Sequence, residues 1–206
     1  TSRARETLER GLAHFPSSWR LHERLRTQLL YERGAAGLEE DYARRLAQPG
    51  AAPELAWFAA YAALVAAETH RRAGERELAL AAYERALERY DHDKVAHPGH
   101  APSADHYSAL ALAGRAHIFF ELGELARAAD GLVLAFERAP RSAASFDGLG
   151  MTPIDSARTL LARLEQAGET ALYDRLQARL AALGKDLLDA PDRERGVPNE
   201  AARAGD

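Results

Sequence analysis

Cysteine is absent from this 206-residue chain, which excludes disulfides, thiolate metal sites, iron–sulfur clusters and cysteine nucleophiles. The β-branched aliphatics are almost as scarce. Four Val and two Ile stand against 45 Ala and 29 Leu, a mixture that favours helix and disfavours sheet. No apolar run is long. The most apolar stretch, residues 55–67, covers 13 positions, about 20 Å of helix where a bilayer core needs about 30 Å. It is therefore expected to be buried among other helices, with no membrane partner. A secretory leader is not legible at residues 1–6, so a cytoplasmic location is expected. A formal charge of −4 supplies no general attraction for phosphate backbones, and nucleic acid is not an expected partner. The excess of 25 Arg over 2 Lys carries no functional weight by itself.

What the chain does contain is a regular alternation of helical runs and breakers. The pattern predicts helices over 3–14, 18–33, 38–47, 53–73, 75–90, 103–122, 124–139, 152–167 and 169–183, with Ser18, Ser103 and Thr152 as N-caps. Gly34 and Gly37 are expected to separate the second helix from the third. Residues 91–105 are expected to form an inserted loop, and the Pro- and Gly-bearing text of 189–206 a disordered polar tail.

The breakers keep register with small and large residues. Gly123, Ala128, Leu132, Ala135 and Pro140 are spaced 5, 4, 3 and 5 apart; Gly74, Ala79, Tyr83 and Ala86 repeat the first three intervals; Ala4, Leu8, Gly11 and Pro16 repeat the last three. These intervals resemble the tetratricopeptide repeat, a 34-residue helix–turn–helix unit, here in divergent form. The resemblance implies an all-α fold for residues 1–188, a right-handed superhelical solenoid of antiparallel helix pairs. It also implies a half-repeat at the N-terminus, so the chain is expected to belong to a longer polypeptide. The turns at Gly74 and Gly123 lie 49 residues apart, which places about 15 extra residues between two units of about 34.

The same resemblance implies a non-catalytic scaffold that holds a protein or peptide in a groove lined by the first helix of each pair. Carried onto this sequence, the groove candidates are Tyr61, Leu64, Glu68 and Arg72, then Leu110, Ala113, His117 and Phe120, then Asp155, Arg158 and Ala162. One alternative is a regulatory or ligand-sensing segment of a larger enzyme or signalling protein. Another is metal binding by the insertion, where His92, His97 and His100 bring imidazoles together with Asp91 and Asp93, although a loop fixes no coordination geometry. Catalytic signatures fail. His22-Glu23 has Arg26 where a second zinc-binding histidine would stand, and Gly148-Leu149-Gly150 lacks the rest of a phosphate loop. No enzyme activity and no cofactor are expected.

Overall fold

Three turns of one design punctuate the chain. At Gly74, Gly123 and Gly168 the backbone enters the left-handed region, with φ of 76°, 76° and 72°, which suits a residue without Cβ. Each glycine is followed by a glutamate whose N–H reaches back to a carbonyl five residues earlier: Glu75 to His70 at 2.9 Å, Glu124 to Phe119 at 2.9 Å and Glu169 to Leu164 at 3.0 Å. The carbonyls of the same glutamates then accept from Ala79, Ala128 and Tyr173 and open the next helix. One helix is thus closed and another begun within two residues.

The computed structural model describes residues 2–144, 152–184 and 188. Among them are eight α-helices and no strand: α1 (Ser2–His14), α2 (Trp19–Leu46), α3 (Leu55–Arg72), α4 (Arg76–Ala96), α5 (Ala101–Glu121), α6 (Leu125–Arg138), α7 (Pro153–Ala167) and α8 (Thr170–Ala181). Helices pack chiefly against those that precede and follow them in the chain, with α3 against α4 and α5 against α6 the most extensive. Among the described residues no helix is long and apolar enough to cross a membrane.

Spacing on the second helices serves packing. Ala79, Tyr83 and Ala86 on α4, and Ala128, Leu132 and Ala135 on α6, are all buried. Small residues admit the neighbouring helix while the large one fills the gap. Gly131 of α6 lies so close to α5 that a Cβ there would stand 2.9 Å from the Ala116 Cβ. Gly114 of α5 leaves room for the ring of Tyr83, whose hydroxyl donates to the buried carboxylate of Glu68.

Several expectations are corrected. The second and third helices are one element: Gly34 adopts φ 68° and ψ −172°, a kink inside α2 rather than a break, and Gly37 continues the helix. Residues 91–105 are not a loop. Residues 91–96 extend α4, Pro98–His100 form a 3-10 turn, and α5 begins at Ala101, so Ser103 lies inside α5 instead of capping it. The physical reason lies in two prolines: Pro98 opens the 3-10 turn and Pro102 sits in the first turn of α5, positions where a missing N–H costs nothing. Ion pairs clamp the extended ends, Lys94 to Asp105 at 2.9 Å and Arg138 to Asp91 at 2.7 Å. The expected tail at 189–206, and the Gly148-Leu149-Gly150 segment, lie outside the described residues.

Candidate functional site

Aromatic side chains from three helices meet near the starts of α2, α3 and α5. Trp19 is the first residue of α2, Trp57 and Tyr61 lie one turn apart on α3, and Tyr107 belongs to the second turn of α5. The indole of Trp57 stacks on Tyr61 at 5.7 Å between ring centres and 6° between planes. Trp19 meets Tyr61 edge-on at 5.0 Å, and Tyr107 meets Tyr61 at 4.9 Å and Trp57 at 5.5 Å. These four residues are only partly buried, so the cluster is an aromatic shelf and not a sealed core. Offset and edge-on contacts of this kind contribute about 0.5–1.5 kcal/mol per pair beyond area burial.

Arg26, two turns along α2 from Trp19, lays its guanidinium 4.8 Å from the Trp19 ring centre and 4.5 Å from that of Tyr61. The residue is 5% exposed, and its Nη1 has no hydrogen-bond partner among the described residues. Aromatic faces thus hold a cation at a depth where a carboxylate would ordinarily accompany it. Beneath the shelf, His22 is fixed between two groups: its Nε2–H donates to the Pro16 carbonyl at 2.9 Å, and its Nδ1 accepts from the Tyr42 hydroxyl at 2.9 Å. Its ring stacks on Phe58 at 3.6 Å. Burial, partly opposed by the Pro16 bond and reinforced by the Arg26 charge, lowers its pKa to about 4. Burial also pushes the Tyr42 hydroxyl up to about 12.

The sequence-derived groove residues separate into distinct places. Tyr61 belongs to the shelf. Leu64 and Leu110 are core residues, at 0% and 5% exposure, because α3 and α5 are covered by neighbours on several sides; neither offers surface to a partner. Glu68 is likewise buried, accepting from the Tyr83 hydroxyl and, at 2.8 Å, from Arg71; the buried bond to a carboxylate pushes the Tyr83 pKa up, with desolvation the larger cause. Arg72 is exposed at the end of α3. His117 and Phe120 line a hollow of about 340 Å³ between α5, α6 and α7, together with Asp155 and Thr159. Arg158 is exposed and bonds Asp155 at 3.3 Å. The structure therefore brings His117, Phe120 and Asp155 together but sets them apart from Tyr61.

The histidines of residues 91–105 also sort differently. His92 is exposed on α4 and stands outside any cluster, whereas His97 and His100 flank Asp93. Asp93 was named beside these histidines without geometry because residues 91–105 read as loop; with α4 continuing, Asp93 and His97 are one turn apart.

Comparison with family models, with curated proteins and with solved structures returns no match. The definable class is thus architectural: an all-α protein of sequentially packed helices with an aromatic shelf and a histidine–carboxylate turn.

Proposed function

We propose that the chain is a non-catalytic peptide-binding scaffold, in which tetratricopeptide-like helix pairs wind as a right-handed superhelix and present their first helices to the partner. Recurrence of the glycine–glutamate turn after α3, α5 and α7 supports the repeat reading. The observation that carries the function is the shelf itself, since four half-buried aromatics contributed by α2, α3 and α5 suit the anchoring of an extended segment. Arg26 favours a segment that carries a carboxylate beside an apolar or aromatic anchor, because its buried guanidinium lies against two ring faces and its Nη1 has no hydrogen-bond partner among the described residues.

Trp19 and Trp57 are the only two tryptophans of the chain, so intrinsic fluorescence reports on the shelf alone. A random peptide library is displayed and panned on the full chain, and enriched peptides are synthesised and titrated by fluorescence. Tyr61→Ala and Tyr107→Ala are each expected to weaken binding by 10-fold or more, about the loss of one aromatic anchor. Arg158→Ala, on α7 and remote from the shelf, is expected to change little. Failure to enrich any peptide, or equal affinity for folded shelf variants and wild type, overturns the reading.

A further inference from the structure

We propose that the turn joining α4 to α5 is a binding site for one divalent transition-metal ion, held by Asp93, His97 and His100. The carboxylate of Asp93 is fully buried, and among the described residues no Arg or Lys comes within ion-pair distance of it. Its two oxygens face two imidazoles instead: Oδ1 lies 3.1 Å from His97 Nδ1, and Oδ2 lies 3.0 Å from His100 Nδ1. A buried negative charge must be met, either by protons on those nitrogens or by a cation between them.

The spacing suits a cation. Metal–ligand bonds of about 2.0–2.1 Å place neighbouring donors about 2.8–3.0 Å apart in an octahedron and about 3.3–3.4 Å apart in a tetrahedron, and the two separations here, one to each oxygen of Asp93, fall within that span. One donor atom from each of the three residues can be chosen so that all lie within 4.8 Å of one another. Two imidazoles and one carboxylate make a donor set suited to Zn²⁺, Ni²⁺ or Co²⁺ and poorly suited to Mg²⁺ or Ca²⁺. Three protein donors leave further positions to water.

Backbone geometry holds the donors before any ion arrives. The His97 N–H donates to the Asp93 carbonyl at 2.7 Å as the last bond of α4, and the His100 N–H donates to the His97 carbonyl at 2.9 Å across Pro98-Gly99. The rings of His97 and His100 sit 5.2 Å apart and are about one-third exposed, so an ion can enter from solvent. On the far side, Ser103 Oγ donates to the His100 carbonyl at 3.1 Å and accepts from the Trp57 indole N–H at 2.9 Å. An ion that tightens His100 is therefore felt at Trp57.

The site stands or falls independently of peptide binding. The full chain, freed of metal by chelation, is titrated with Zn²⁺ by calorimetry and with Co²⁺ by visible absorption, while tryptophan fluorescence is followed. One ion per chain is expected in wild type and in His92→Ala, at least 10-fold weaker binding in His97→Ala and in His100→Ala, and no saturable binding in the double variant. Both histidines are partly exposed, so removal need not open the core; circular dichroism verifies the fold of each variant. No saturable binding by the wild type, or undiminished binding by the folded double variant, overturns the assignment.

Discussion

His22 makes the stability of this fold depend on pH in a window set by one buried ring. In the folded chain its pKa is lowered to about 4, against 6.5 for an unperturbed imidazole, chiefly because burial disfavours the charged form. A base with a depressed folded pKa contributes stability that is whole above about pH 6.5 and is lost as the pH falls towards 4, because the unfolded chain takes up the proton first. The difference between 6.5 and about 4, at about 1.36 kcal/mol per pH unit, corresponds to about 3 kcal/mol, most of which falls between pH 7.5 and 4.5. The structural cause is specific: Nε2 already donates to the Pro16 carbonyl, whereas Nδ1 accepts from Tyr42, so a second proton must reverse the Tyr42 bond and place a buried positive charge near Arg26. Urea unfolding at pH 7.5, 6.0, 5.0 and 4.5 measures the slope. His106, lowered by burial as well, adds to the wild-type slope with the same sign, so the decisive comparison is with His22→Gln. That variant is less stable at pH 7.5 but should lose about 2–3 kcal/mol less than wild type on acidification to pH 4.5. Equal slopes in the two proteins would refute the assignment of this acid sensitivity to His22.

Two further outcomes test the packing logic. At Gly123, φ is 76° and a Cβ would meet nothing within 4 Å, so Gly123→Ala should cost about 1–2 kcal/mol from conformation alone, whereas Gly99→Ala, with equal space and no positive φ, should be neutral or slightly stabilising; similar melting shifts for both would contradict this. At Gly114 the added Cβ would stand 2.7 Å from Tyr83 Cε1 and closer still to its hydroxyl, so Gly114→Ala should lose about 1–3 kcal/mol in urea unfolding, and a change below about 0.5 kcal/mol would show that α4 and α5 separate more freely than drawn.

Much of the fold was legible because it depends on local periodicity. A stripe such as Ala79, Tyr83 and Ala86 faces one way in any helix, and all three are buried where α4 meets its neighbours. Helix ends were legible where glycine turns the chain, as at Gly74, Gly123 and Gly168, and misread at Gly34, where the chain kinks and continues. Nothing local distinguishes those cases, since one glycine in the left-handed region can close a helix or bend it according to what packs beyond. The shelf was largely hidden for a related reason. Trp19, Trp57 and Tyr107 lie 38 and 50 residues apart, and only the crossing of α2, α3 and α5 brings them together. Tyr61 was found because it fell at a groove position; Leu64 and Glu68, on the same helix, were placed there by the same rule and are buried.

The insertion shows how a misread element changes the chemistry assigned to it. Read as loop, residues 91–105 offered His92, His97 and His100 without geometry. Read as the meeting of two long helices, the same residues place Asp93 one turn before His97 and swing His100 back over it through Pro98-Gly99. The meeting of α4 and α5 has a second effect, because the first two turns of α5 carry Ser103 and Tyr107 up to Trp57. The histidine turn and the aromatic shelf are thereby joined by a path of two hydrogen bonds from the His100 carbonyl through Ser103 to the indole.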